Sequence, residues 1–148
     1  METVLDRTVE VECPLETAWE HLARVAQWPS WARHIRSVTV DPPGELTERT
    51  RGVIRLTNGV RSTFWMTELV PGDHWVWEGK FLWLLVRYDH RFEAAGEGRT
   101  RLTFDVALQG FGRGSIGRLF TAIYARNLDR AIPLLVREMA SLGGNPGV

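Results

Sequence analysis

Leu5, Val9 and Val11 alternate with Asp6, Thr8, Glu10 and Glu12, and a period of two describes a strand with one buried face. Arg7 interrupts its apolar side. Pro14 suits a first helical position, after which Leu15, Ala18, Trp19, Leu22 and Val25 recur at helical spacing. Pro29 disfavours helical geometry at Trp28 and can itself begin a second short helix running toward Ile35. Val38 and Val40 mark a strand that stops at Asp41-Pro42-Pro43-Gly44, a strong breaker.

From there the chain reads as strands: Gly52 to Thr57, Val60 to Val70, His74 to Gly79, Leu84 to Ala94 and Thr100 to Gly110. Asn58-Gly59 predicts a two-residue hairpin of type I′, with positive φ at both residues. Pro71-Gly72-Asp73 and Gly96-Glu97-Gly98 supply further turns. Beyond the glycine-rich stretch from Gly110 to Gly114, Ser115 is placed to cap a long helix. Phe120, Tyr124, Leu128, Ala131, Leu135, Met139 and Leu142 follow one another at three- and four-residue intervals and track a single helical face. Pro133 lies inside this helix, where it removes the hydrogen bond to Asp129 and predicts a kink. Gly143-Gly144 ends it. The pattern is α+β: about seven strands in an antiparallel sheet, two short helices between strands one and two, and a long C-terminal helix.

A length of 148 residues suits one domain over residues 1–148, able to bury roughly 68–70% of the surface its unfolded chain exposes. Eighteen basic residues balance eighteen acidic ones, which removes the field expected of a nucleic-acid binder. Every basic residue except Lys80 is arginine, for which codon usage is a plainer explanation than anion recognition. Cys13 is the sole cysteine, so no intrachain disulfide forms. With no signal-peptide core and no apolar run of about 18 residues, the expected setting is cytoplasmic, with no stable membrane insertion.

The order strand, two short helices, six strands, long helix resembles the START-like (SRPBCC) superfamily, in its polyketide cyclase/dehydrase-like and lipid-transport branch. The residues that carry the resemblance are Cys13-Pro14-Leu15-Glu16-Thr17-Ala18-Trp19, Trp28-Pro29-Ser30-Trp31 with Ile35, Pro71-Gly72-Asp73-His74-Trp75-Val76-Trp77, Gly98-Arg99-Thr100 and the final helix. The resemblance implies a helix-grip fold, in which a curved sheet wraps a long helix around an elongated cavity for lipids, polyketides or similar ligands. An uninterrupted final helix is expected of such a fold, and Pro133 departs from it.

Gly112-Arg113-Gly114-Ser115-Ile116-Gly117 satisfies G-x-G-x-x-G, but no second parallel strand with its acidic residue follows, so a hinge into the helix is the better account than a dinucleotide site. Ser115 lacks the first glycine of a nucleophile elbow. The four histidines have no ligand spacing, so no metal is expected; His21 and His34 read as helix-surface residues. Leu84, Val86, Tyr88, His90 and Phe92 share one strand face, a polar pair in an apolar stripe. Ligand groups would satisfy that pair, and so would a backbone carbonyl or internal water. Glu68, placed with Phe64 and Met66, and Arg7 are candidates to pair inside the cavity, or to reach water at a sheet end.

Seven tryptophans are many for this length, and flat aromatic walls suit ring-bearing or long-chain ligands. Phe64, Met66, Trp77, Phe104, Phe120 and Tyr124 are the expected walls, joined by Trp28 and Trp31, with Tyr88 and His90 orienting the ligand. Trp65 and Trp83 are expected to face out. The leading expectation is a cofactor-free binding protein, monomeric or homodimeric, for a small hydrophobic molecule. The rival is a polyketide aromatase/cyclase using His90, Tyr88 and Arg7 as acid/base groups; a third is a protein-interaction module.

Overall fold

The period-two segments form strands and the three-and-four segments form helices. The computed structural model describes residues 2–109 and 114–143. Strand β1 (Glu2–Val11) leads into helix α1 (Leu15–Ala23) and a 3-10 helix over Val25–Ser30. Then come β2 (Ile35–Asp41), β3 (Arg51–Leu56), β4 (Arg61–Val70), β5 (His74–Phe81), β6 (Leu84–Ala94), β7 (Thr100–Gln109) and helix α2 (Ser115–Gly143). All seven strands pair antiparallel in the order β1-β7-β6-β5-β4-β3-β2. The first strand therefore pairs with the last, and β2 lies at the opposite edge. The expected α+β helix-grip architecture is what the chain adopts.

α2 buries Gly117, Phe120, Leu128, Ala131, Leu135 and Met139, and all but the glycine belong to the hydrophobic core that the helix shares with the sheet and α1. Near its start Phe120 meets Phe81 of β5, and one turn on Tyr124 meets Tyr88 of β6. β7 answers with strict alternation, burying Thr100, Leu102, Phe104, Val106 and Leu108. Leu135 and Met139 have no accessible surface, and truncating such a side chain to alanine costs about 2–5 kcal/mol.

Several boundaries differ from the sequence expectation for local reasons. α1 stops at Ala23, and Pro29 sits inside the 3-10 helix rather than opening one. The Trp28 indole N–H donates to the Leu22 carbonyl at 2.8 Å, closing the end of α1 and drawing the chain into the tighter helix. Pro14 is the residue before α1, with extended backbone. Ser115 is already helical; the Gly114 carbonyl accepts from the Arg118 N–H, so serine is not the cap. The hairpin after β3 is a three-residue loop: the Gly59 N–H bonds the Leu56 carbonyl and the Leu56 N–H bonds the Val60 carbonyl. Only Gly59 has positive φ (92°), so the turn is a type I turn closed by a left-handed glycine, not type I′. α2 runs without interruption through Pro133, which is exposed.

The turn between β5 and β6 carried no sequence signal. Leu82 adopts φ 56°, rare for a bulky side chain, and Leu82 and Trp83 are 63% and 55% exposed.

Candidate functional site

Register on the concave face decides which side chains meet. Trp75 lies opposite His90 and Trp77 opposite Tyr88 across β5–β6, while His90 faces Phe104 and Tyr88 faces Val106 across β6–β7. His90 stacks on Trp75 with ring centroids 4.6 Å apart and stands edge-on to Trp77 at 4.9 Å. Trp28 is 5.8 Å away and Phe104 6.2 Å. Its Nδ1 lies 3.3 Å from the Trp75 carbonyl oxygen. Burial drives the His90 pKa down to about 3 against a smaller upward pull from that carbonyl, so the ring is neutral at physiological pH. A neutral ring donating from Nδ1 leaves Nε2 as an acceptor.

Tyr88 and Tyr124 sit differently. Their rings are 5.6 Å apart, and Tyr124 stacks on Phe120 at 5.7 Å. Burial raises both phenol pKa values above the ordinary range, Tyr124 adding to the effect on Tyr88. Among the described residues neither hydroxyl has a hydrogen-bond partner, although both residues keep accessible surface. The two rings meet between β6 and the first half of α2, deep but not fully enclosed.

The other expected wall residues converge on this interior. Phe64 lies 4.2 Å from Trp77, Met66 pairs with Trp77 across β4–β5, and Trp28 and Trp31 are 5.5 Å apart. Phe64, Met66, Phe104, Phe120, Trp28 and Trp31 are all buried. Trp19 of α1 belongs with them, edge-on to Trp75 at 5.3 Å and tilted on Phe92 at 4.9 Å. Its helical spacing with Leu22 was the available signal for it. Trp65 is half-buried on the outer face, opposite Glu78.

Of the two readings of Arg7 and Glu68, paired inside the cavity or reaching water, the structure shows the second. Arg7 holds Asp129 of α2 with both ends of its guanidinium, Nε to Oδ1 at 2.7 Å and Nη2 to Oδ2 at 3.1 Å, and donates from Nη1 to the Asp6 carbonyl. The pair is solvent-facing and ties α2 to β1; it raises the Arg7 pKa and lowers that of Asp129. Glu68 is turned over by a bulge between Met66 and Glu68 in the β4–β5 ladder, because one extra residue reverses the alternation. It lands on the outer face, 3.2 Å from His74 Nε2 without hydrogen-bond alignment, while His74 Nδ1 bonds Asp73. Asp73 first, then Glu68, raises the His74 pKa.

His21 ties α1 to α2 through Glu138 at 2.9 Å. His34 lies in the turn ahead of β2, not on a helix. There it lines a crevice of about 400 Å3 with Trp31, Arg33 and, from α2, Asn127, Arg130, Ala131 and Leu134. A second hollow, about 700 Å3, lies between α1 and the ends of β2 and β4, and a third, about 570 Å3, between β1 and α2. These three border the aromatic interior instead of occupying it. The G-x-G-x-x-G match begins at Gly112-Arg113, outside the described residues. Among the described residues no three His, Cys, Asp or Glu side chains gather as metal ligands, and no helix is long and apolar enough to cross a membrane.

The family model for polyketide cyclase / dehydrase and lipid transport matches residues 2–135. None of the curated proteins matches the sequence. Among solved structures, a Thermobifida fusca protein shares 15% identity over 96% of this chain and 95% of its own, with a TM-score of 0.75. A START superfamily protein from Mycobacterium smegmatis shares 15% identity over 92% and 98%, with a TM-score of 0.67. The di-domain ARO/CYC StfQ of the steffimycin biosynthetic pathway shares 13% identity over 95% of this chain and 51% of its own, with a TM-score of 0.70. At these identities the likeness is one of fold.

Proposed function

Because the chain belongs to the polyketide cyclase / dehydrase and lipid transport family, we propose that it binds a small, mostly apolar molecule with one polar group between the sheet and α2. The observation that carries this reading is the pair of deep phenol hydroxyls, Tyr88 and Tyr124, which the described residues leave without partners. These hydroxyls are not among the fully buried unpaired atoms, so a ligand carbonyl or hydroxyl reaching them exchanges a bond to water for a direct one, a net gain of about 0.5–1.5 kcal/mol each. Phe64, Met66, Trp77, Phe104 and Phe120 supply apolar walls, Trp28 and Trp31 extend them, and His90 Nε2 offers an acceptor. Walls this rich in rings favour a flat, ring-bearing ligand over a flexible chain.

Acid/base catalysis by His90, Tyr88 and Arg7 has less support. General catalysts work best with a pKa near the operating pH, whereas burial holds His90 at about 3 and Tyr88 above the ordinary phenol range. Arg7 is engaged by Asp129 on the surface.

Isothermal titration with 2-naphthol tests the reading. One equivalent should bind, and joint Tyr88→Phe and Tyr124→Phe replacement should weaken binding about tenfold without lowering the melting temperature of the ligand-free protein. No binding by the wild type, or equal binding by the double variant, overturns it. Turnover of a poly-β-ketone that His90→Ala abolishes while binding persists would replace it with the enzymatic reading.

A further inference from the structure

We propose that the crevice between α2 and the loop entering β2 is an anion site, which takes the carboxylate or phosphate head of an organic ligand. Arg33 reaches it from the loop and Arg130 from α2; His34 and Asn127 add polar groups, and Trp31, Ala131 and Leu134 give an apolar floor. None of its lining residues is acidic, so in a chain of zero net charge this hollow carries two formal positive charges. Among the described residues neither guanidinium has a carboxylate or hydrogen-bond partner. Of the arginines only Arg7, Arg91, Arg99 and Arg101 are engaged by acids among the described residues; what sets Arg33 and Arg130 apart is that both line one hollow with no acid in it.

Two planar forks flanking one hollow suit an oxyanion, since guanidinium pairs with carboxylate or phosphate oxygens in bidentate fashion. The loop is held in place beforehand: the Ile35 N–H bonds the Ala32 carbonyl and the Thr57 N–H bonds the His34 carbonyl. Desolvation lowers the His34 pKa, so at neutral pH its ring contributes hydrogen bonding and the arginines contribute the charge. The floor is continuous with the interior, because Trp31 packs on Trp28, and Trp28 touches both Trp77 and His90. An anionic head in the crevice therefore points its apolar body along the Trp31–Trp28 wall; that body's placement, though not the anion site itself, rests on the binding reading above.

The test is titration calorimetry with 2-naphthoate, 2-naphthyl phosphate and neutral 2-naphthol against the wild type and an Arg33→Gln, Arg130→Gln variant, near-ultraviolet circular dichroism confirming that the variant is folded. At least one anionic probe should bind the wild type, weaken with added salt, and lose about tenfold or more in affinity in the variant. Preference between the two anionic probes identifies the head. 2-Naphthol should bind both proteins alike. Anionic probes that fail to bind, or that bind wild type and variant equally, overturn the anion site whatever 2-naphthol does. If 2-naphthol fails while an anionic probe binds through the arginines, the anion site stands and the cavity reading falls.

Discussion

At the scale of one residue, His90 shows how placement sets chemistry. The imidazole is enclosed by Trp28, Trp75, Trp77 and Phe104, and burial away from water, which outweighs any attraction of the rings for a cation, holds the pKa at about 3 against an ordinary 6.5. As pH falls the unfolded chain takes up the proton first. The stability linked to neutral His90 is therefore complete above about pH 6.5 and lost as pH falls toward 3, at about 1.4 kcal/mol for each unit separating the two pKa values. His74 works in the opposite sense, because Asp73 and Glu68 raise its pKa and its contribution fades as pH rises. Comparison with His90→Phe, which keeps a ring in the cage, separates the two. Melting temperatures between pH 7 and pH 4 should fall more steeply for wild type than for His90→Phe; equal slopes would show that His90 is protonated in the folded protein. The apolar stripe around His90 was legible in the sequence. Its carbonyl partner was not, because Trp75 comes into reach only through the β5–β6 register.

Strands and helices were the most legible features, and their mistakes share a cause. The alternation of β1, β6 and β7 and the long face of α2 are periodic signals, and the structure reproduces them. A bulge has no period. One extra residue after Met66 carries Glu68 to the outer face and puts Leu69 opposite Trp75, which decides between its two readings in favour of reaching water. Close approaches are equally silent in sequence. Gly52 of β3 sits where an added Cβ would fall 2.2 Å from the Thr39 carbonyl oxygen and 2.6 Å from the Phe64 ring. The missing side chain lets Phe64 lie over the strand and against Trp77. Gly52→Ala should force β2 and Phe64 to shift and destabilise the fold by roughly 1–3 kcal/mol, read as a lowered denaturant midpoint. An unchanged midpoint would mean that the β2–β3 edge yields without strain.

Across the whole molecule the two edges of the sheet are built unequally. At one edge β1 is paired to β7 and tied to α2 by the Arg7–Asp129 pair. The other side is lighter one strand in: the edge strand β2 buries Ile35 and Val38, as many residues as β1 buries, but its neighbour β3 has no fully buried residue, whereas β7, the neighbour of β1, buries every second one and β5 buries five. This asymmetry could not be read from composition, because it depends on where α2 crosses the sheet, and a helical face shows how much it buries but not against which strands. Local opening concentrates where few apolar contacts must break. The light edge also leads into the turn carrying Arg33 and His34. Native-state hydrogen exchange should therefore show β2 and β3 amides opening well below the global unfolding free energy, and β5–β7 amides exchanging only with it. A ligand spanning Arg33 and Arg130 joins the light edge to α2, so it should slow exchange in β2 and β3 more than in β7. Uniform protection across all seven strands would mean that the sheet opens as one unit, with no separately mobile edge for a ligand to close.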